Sequence, residues 1–177
     1  MKKAVLISMK PKNVELVLNG YETLEIRKTR PRLETPFKCY IYCTAGNLSY
    51  EVDGGMVCNV IGGKLVVGEF MCNTILPIQV ECSSPAALGA GIEVTGTCLT
   101  DRQILEYLGN GKQGYAWHIS NLKIYNTPRS LDDFKPWNRD CKYTDLGLAI
   151  PKCETCRSCT VKKPPQIWFY VEELKNE

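Results

Sequence analysis

The sequence lacks the long apolar runs that membrane-spanning segments require. No stretch of the 177 residues approaches the ~20 apolar residues that cross a bilayer as a helix. Near the N-terminus, the apolar stretch 4–7 is too short for the core of a signal peptide, and no small-residue cleavage site follows it. These absences predict a cytoplasmic protein that has no membrane partner.

Histidine is also scarce, which restricts the choices for acid–base chemistry. His118 is the only one, and histidine is the side chain whose unshifted pKa lies near neutrality. No serine, aspartate or cysteine forms a recognisable catalytic motif with it, and a structural hydrogen-bonding role is the alternative. The chain shows no internal repeat at a period of ~20–50 residues. Its length therefore predicts a single domain over residues 1–177.

Positive charge is concentrated in one segment, although the whole chain is close to neutral. Residues 27–38 hold five basic groups and one acid, 5 − 1 = +4, whereas the whole chain is only +3. An anionic ligand would use such a local concentration. Nearby aromatic residues such as Tyr40 and Tyr42 add to this pattern, because single-stranded nucleic acid binds to cations beside stacking rings. A solvated loop without a ligand is the alternative.

Ten cysteines are many for a chain of this length. Without an export signal a disulfide framework is disfavoured. Four of them lie in a polar stretch with two overlapping C-x-x-C spacings: Cys141, Cys153, Cys156 and Cys159. Four thiolates at such spacing make a closed structural zinc site. We therefore expect structural Zn²⁺ in a loop over 138–163, inserted before the last strand. Free thiols, a redox dithiol and an iron–sulfur cluster are the alternatives.

Hydrophobic periodicity predicts strands and short helices. Helices are expected from Pro11 to just before Gly20, over 100–108 with a capping box of Thr100 and Gln103, and as a turn near 131–133. Strands are expected at 3–8, 23–28, 38–44, 64–73 with a bent extension over 75–82, 115–125 and 166–173. Residues 45–63 are rich in glycine and predict turns around one short strand at 56–59. The set predicts an α+β fold, a small mixed β-barrel of five to six strands with two or three short helices.

The junction between the first helix and the second strand, residues 20–27, carries a motif. A turn of the form G-x-K-x-x-E-x-R at this place is the signature of the ASCH domain, and the sequence resembles that family. Gly20, Glu25 and Arg27 match the motif. Further segments that resemble the family are Ser8-Met9-Lys10-Pro11, Gly68-Glu69-Phe70, Trp117-His118-Ile119 with Leu122, and Pro164-Pro165-Gln166-Ile167-Trp168.

The resemblance implies a PUA-like β-barrel that binds RNA or a modified nucleotide in a cleft. On a strand, Glu25 and Arg27 project from one face, about 7 Å apart. They form a surface ion pair or hold a ligand, with Arg27 on a phosphate or base and Glu25 on an exocyclic amine. The residues expected to bind the ligand are Glu25, Arg27, Lys28, Arg30, Trp117 and His118.

The family's lysine position holds Glu22 in this sequence. In the ASCH-like amidohydrolases that deacetylate a modified cytidine, that lysine and a threonine in the slot of Glu25 are catalytic. Two carboxylates do not replace that pair without a change of chemistry. Nucleic-acid binding is therefore favoured over hydrolysis of RNA or of a modified nucleoside, for which Glu22, Glu25, Glu69 and His118 are the candidate proton acceptors. A protein-binding adaptor is a third hypothesis.

Overall fold

The computed structural model describes residues 2–52, 55–79, 95–137 and 159–174. Its elements in chain order are β1 (Lys3–Met9), α1 (Pro11–Leu18), β2 (Leu24–Arg27), β3 (Phe37–Cys43), β4 (Leu48–Val52), β5 (Met56–Val60), β6 (Leu65–Gln79), α2 (Asp101–Leu108), β7 (Gln113–Arg129), a 3₁₀ helix (Leu131–Asp133) and β8 (Trp168–Glu172). Most of this structure is therefore sheet.

Six strands form one mixed sheet in the order β2-β7-β6-β3-β1-β8, and β4 pairs with β5 as a separate hairpin. The β1–β3 pair is parallel, and the other pairs of the main sheet are antiparallel. The long strands β6 and β7 form the centre, with three register irregularities along their pairing. Such irregularities bend strands and increase their twist. The sheet can therefore curl.

The curled sheet does not close into the barrel that the sequence predicts. Its backbone pairing ends at β2 and β8. Side chains bridge the gap instead. Arg27 Nη2 donates to the carbonyl oxygen of Ser8 at 2.7 Å, and Trp168 Nε1 donates to Thr29 Oγ1 at 3.1 Å. We call this junction the seam. At the seam, side-chain hydrogen bonds take the place of a ladder between strands.

The main hydrophobic core lies inside the curl. Trp117 is fully buried there, with its ring centre 6.0 Å from that of Phe37 and 5.9 Å from that of Trp168. A second cluster on the outer side of β1 and β3 includes Tyr40 and Phe134. A third cluster seats α2 on Leu24 and other residues of β2 and its neighbours. Helix α2 therefore covers the face of β2 opposite the main core.

Several predicted elements are confirmed, and one strand was missed. The capping box of Thr100 and Gln103 is formed at the start of α2. Strand β4 lies within a segment predicted as turns, although its residues alternate between buried and exposed. Glycines around that segment hid the alternation. In the part of the chain that the structure describes, no helix has the length and apolar character needed to span a bilayer.

Candidate functional site: a cavity at the seam

A cavity of about 400 Å³ opens beside the seam. Its wall comes from the end of β1, the start of α1, the junction from α1 into β2, the end of β3, and one face of α2. The residues that line it are Ser8, Met9, Lys10, Asn13, Glu22, Glu25, Ile26, Arg27, Thr44, Leu99, Gln103, Tyr107 and Gln166. This volume lies in the usual range for small-molecule sites.

Arg27 and Glu25 form a buried ion pair in this cavity. Arg27 Nη2 lies 2.8 Å from Glu25 Oε1 and also donates to the Ser8 carbonyl oxygen at 2.7 Å. Glu25 is 4% exposed and Arg27 8%. Burial raises the pKa of Glu25, and Arg27 opposes that shift. The guanidinium thus joins β2 to β1 across the seam, and the two side chains project together as the period of the strand predicts.

Glu22 is a second buried acid, and among the described residues it forms no ion pair like that between Glu25 and Arg27. It is 3% exposed, and the Thr97 hydroxyl donates to its Oε1 at a long 3.4 Å. Burial raises the pKa of Glu22 from its ordinary value of 4.5 to about 7, and the charge of Glu25 adds to the rise, while Thr97 and Arg27 oppose it. Glu22 therefore changes its charge near neutral pH.

Helix α2 supplies the aromatic wall of the cavity. Gln103 and Tyr107 lie four residues apart on one side of the helix, and Leu99 lies just before its N-cap, Thr100. Tyr107 is 36% exposed, and Lys28 Nζ lies 5.1 Å from its ring centre. A ring at the wall of a cavity provides a stacking surface for a planar ligand.

Trp117 and His118 lie on β7, the strand that pairs with β2. They were predicted to bind the ligand, but they do not line the cavity. Trp117 lies directly opposite Glu25 but is fully buried in the core. His118 is half-buried and lies opposite Leu24, which belongs to the other face of the sheet. The Nε1 of Trp117 and the Nδ1 of His118 are buried and lack hydrogen-bond partners among the described residues.

Glu69 lies in a different cluster, on the outer side of the sheet. It accepts a hydrogen bond from the Tyr125 hydroxyl at 2.6 Å and pairs with Lys38 Nζ at 3.1 Å. Lys38 also lies 3.4 Å from a Glu173 oxygen. Glu69 is therefore held in a structural network and is not among the residues that line the cavity.

The basic segment 27–38 is divided between the interior and the surface. Arg27 and Lys38 are occupied by internal ion pairs. Lys28, Arg30 and Arg32 are exposed. The surface charge available to an anionic polymer is therefore smaller than the sequence alone predicts.

The proposed zinc ligands lie mostly outside the described residues. This applies to Cys141, Cys153 and Cys156, whereas Cys159 is described and buried. Within the described ranges, no group of three or more His, Cys, Asp or Glu side chains is placed to hold a metal ion. The zinc site stays a prediction.

A larger open pocket of about 850 Å³ lies between the β4–β5 hairpin and β7. Its charged side chains are Glu51, Lys123 and Arg129. The buried charged residues that the structure describes all lie at the smaller cavity instead. Burying charged side chains is unfavourable, and buried ionisable groups cluster at functional sites. The smaller cavity is therefore the better candidate site.

Most of the residues that line the cavity were not among the ligand-binding residues predicted from the sequence, and three of them, Glu22, Gln103 and Tyr107, matter most for its chemistry. Glu22 stood out as a departure from the family motif and as a candidate proton acceptor. Gln103 and Tyr107 carry a helical spacing that any amphipathic helix shows. Only the packing of α2 against β2 brings these two residues to the motif of residues 20–27.

Comparison with solved structures found the ASCH protein from Zymomonas mobilis. Its chain matches with a TM-score of 0.56 at 15% identity, covering 96% of this chain and 88% of that one. A mutant of the same protein gives 0.56 at 15% identity, with coverage of 97% and 92%. A second mutant gives 0.55 at 15% identity, with coverage of 96% and 89%. This chain has an ASCH fold.

No protein-family model matches the sequence, and no curated protein matches it either. The ASCH fold nevertheless confirms the resemblance that residues 20–27 indicated, and it extends over almost the whole chain. At 15% identity the likeness establishes the fold alone. The chemistry of this ASCH fold has to be argued from the cavity's own residues.

Proposed function

We propose that this protein binds RNA or a modified nucleotide, with one base inserted into the cavity at the seam. The observation that carries the proposal is the buried trio of Glu22, Glu25 and Arg27 in an open cavity of about 400 Å³. Its polar groups can read the hydrogen-bonding edge of a base, while Tyr107 stacks on the base.

Three further features support this proposal. The solved structures that share the fold are ASCH proteins. Lys28 and Arg30 are exposed next to the cavity-lining part of β2, where they can contact the phosphates on either side of an inserted base. The volume suits a nucleoside rather than a long oligomer. RNA contacts on the surface and base contacts in the cavity are therefore compatible.

The test is binding of fluorescently labelled single-stranded RNA, measured by anisotropy at low and moderate salt. Tyr107→Ala removes the stacking surface, and Lys28→Ala with Arg30→Ala removes the phosphate contacts. The loss of one stacked base is expected to weaken binding by about 1–3 kcal/mol, roughly 5- to 150-fold. Lys112→Ala, an exposed lysine that does not line the cavity, is the matched control.

The double lysine–arginine variant should also reduce the steepness of the salt dependence, because fewer counterions are released. Equal binding by the wild type, the cavity variant and the surface variant would contradict the proposal. Absence of any binding at low salt would contradict it as well.

A second candidate function is hydrolysis of RNA or of a modified nucleoside. The observation that favours it is the pKa of Glu22, which burial raises to about 7 in an open cavity. A carboxyl group with that pKa can serve as a general base near neutral pH. Glu25 is less suited to this role because its ion pair with Arg27 holds it in place.

Incubation with RNA and with acylated nucleosides tests this candidate. Turnover should rise as the pH passes upward through about 7, because a general base must be ionised. Glu22→Gln should abolish turnover while leaving RNA binding measurable. Turnover that persists in Glu22→Gln would remove Glu22 from the mechanism, and no turnover across the substrates would leave the binding function alone.

A further inference from the structure

The charge inside the cavity differs from that of a phosphate site. Two carboxyl groups, Glu22 and Glu25, face a single guanidinium, Arg27. When both acids are ionised, these three groups sum to −1. Lys10 also lines the cavity, but it is exposed and its charge is screened by solvent. In that state the interior repels anions.

Arg27 is poorly placed to bind an anion in the cavity. Its Nη2 already donates to Glu25 Oε1 and to the Ser8 carbonyl oxygen. Its Nε is buried and lacks a partner among the described residues. An anion that drew Arg27 away would leave the Glu25 carboxylate and the Ser8 carbonyl without their donor. Leaving a buried charge unpaired is strongly unfavourable.

Glu22 is the group that a ligand can engage. Its contact with the Thr97 hydroxyl is long, at 3.4 Å, and weak by that measure. Burial, and after it the charge of nearby Glu22, raises the pKa of the Cys98 thiol, so that Cys98 stays neutral. Among the described residues, the groups that interact with Glu22 are Glu25, Arg27, Thr97 and Cys98; Arg27 is the cation of this set, and it is already paired with Glu25. A ligand can supply a further positive charge.

We propose that the cavity selects a nucleobase that has an exocyclic amine and a positive charge, or that can take up a proton, and that it excludes phosphate groups. This inference rests on the proposed function. An ionised Glu22 accepts from the amine and attracts the cationic ring. With a neutral base of the adenine type, a proton shared between Glu22 and the ring nitrogen gives a second hydrogen bond beside that from the amine, in place of the charge attraction.

Tyr107 supports the same selection. Aromatic rings attract cations through the negative potential of their faces, as the approach of Lys28 to this ring shows. A cationic base that replaces Lys28 over the Tyr107 ring gains this attraction, whereas a neutral base of equal size gains stacking alone. The acid and the ring thus favour the same class of ligand from two sides.

The test compares three nucleosides of nearly equal shape by titration calorimetry at neutral pH. 1-Methyladenosine is cationic, adenosine is neutral but has the amine and can take up a proton, and inosine has a carbonyl group in place of the amine. The expected order of affinity is 1-methyladenosine, adenosine, inosine. Inorganic phosphate at millimolar concentration should not compete.

Two variants of Glu22 separate charge from shape. Glu22→Gln keeps the size of the side chain and should lower the affinity for 1-methyladenosine about tenfold, since one lost charge interaction of about 1.4 kcal/mol has that effect. Inosine affinity should stay unchanged. Glu22→Lys, which restores the family's lysine, should abolish the preference for the cation. Glu15→Gln, an exposed glutamate on α1, is the matched control.

The possible outcomes are distinguishable. If RNA and all nucleosides fail to bind, the proposed function fails and this inference fails with it. If RNA or nucleosides bind but inosine equals 1-methyladenosine, if phosphate competes, or if Glu22→Gln changes nothing, the proposed function stands and the inference is overturned. Should Glu22→Lys fail to fold, Glu22→Gln decides the matter.

Discussion

At the scale of single residues, the placement of three ionisable side chains determines what the cavity can do. Arg27 is committed to Glu25 and to the backbone of β1, so it acts as a link across the seam. Glu22 stands where the ASCH motif that the sequence resembles has a lysine, and it is buried without an ion pair among the described residues. A single substitution relative to the motif therefore reverses the charge that the cavity offers to a ligand.

The burial of Glu22 predicts an unusual dependence of stability on pH. Its pKa rises from 4.5 to about 7 on folding, so between these values the folded protein holds a proton that the unfolded chain has lost. The contribution of Glu22 to the free energy of unfolding is therefore largest at low pH, falls as the pH rises from about 4.5 to 7, and is constant above. The loss is on the order of 3 kcal/mol, at about 1.4 kcal/mol per tenfold change in proton affinity.

Urea unfolding at a series of pH values measures this effect. The difference in unfolding free energy between wild type and Glu22→Gln should grow in favour of the variant across that range. Glu25 adds a slope of the same sign in both proteins, because burial also raises its pKa. Glu15→Gln should parallel the wild type. A constant difference between wild type and Glu22→Gln would show that Glu22 does not titrate as proposed.

At the scale of elements, the site is an assembly of the turn before β2, the end of β1 and one side of α2. Helix α2 begins firmly because its capping box satisfies backbone N–H groups at its first turn. Its apolar residues Ile104 and Leu108 then fix it on β2. The sequence predicts this helix but not what it packs against. The position of Tyr107 in the cavity wall therefore depends on contacts that the sequence does not predict.

The cysteine-rich element gives a prediction of its own. If Cys141, Cys153, Cys156 and Cys159 bind zinc as the C-x-x-C spacing predicts, the purified protein should contain about one zinc ion per chain. Cys156→Ser should lose the metal, whereas Cys98→Ser, at an exposed cysteine elsewhere, should keep it.

Chelation of that zinc should make the segment 138–163 more sensitive to limited proteolysis, because metal ligation contributes directly to the folding of such loops. The far-UV circular dichroism of the sheet should persist. Protein without metal, or a segment whose proteolysis does not respond to chelation, would show that these cysteines are free thiols.

At the scale of the whole molecule, the central pairing of β6 and β7 positions the site indirectly. Within the described part of the chain, strand β2 pairs only with β7, so the positions of Glu25 and Arg27 depend on the course of β7. The irregular register between β6 and β7 gives the curl that brings β2 near β1. The seam is the consequence of that curl.

Gly68 lies where β6 and β7 approach each other too closely for a side chain. A Cβ atom at this position would lie 2.7 Å from the Lys123 carbonyl oxygen, which belongs to the backbone of β7. Gly68→Ala should therefore lower the unfolding free energy by roughly 1–3 kcal/mol, the usual cost of overpacking, measured by urea denaturation.

Gly114→Ala is the comparison for this substitution. Its added Cβ would meet the Leu108 side chain at 2.6 Å, and a side-chain end can move where a backbone cannot. Gly114→Ala should therefore lower the unfolding free energy by less than Gly68→Ala does. The opposite order would mean that the backbone of β7 yields more easily than the packing of α2.

The sequence by itself determined the local elements and the identity of the motif. The period of two in β2 places Glu25 and Arg27 side by side, and the capping box starts α2, because both depend on nearest neighbours along the chain. The segments that resemble the ASCH family led to the fold that the solved structures share. Strand β4 escaped notice because flanking glycines resemble turns.

Only the tertiary structure decided which side chains meet. Trp117 and His118 lie on β7, next to β2, as a site there would require. Trp117 is nevertheless buried in the core, and His118 lies on the other face of the sheet, so neither lines the cavity. Tyr107 and Gln103 enter it through the packing of a distant helix. The open seam, the pairing of Arg27 with Ser8 and the raised pKa of Glu22 all arise from contacts and burial between segments far apart in sequence. Desolvation and long-range contacts exist only after the chain has folded, so no local pattern could reveal them.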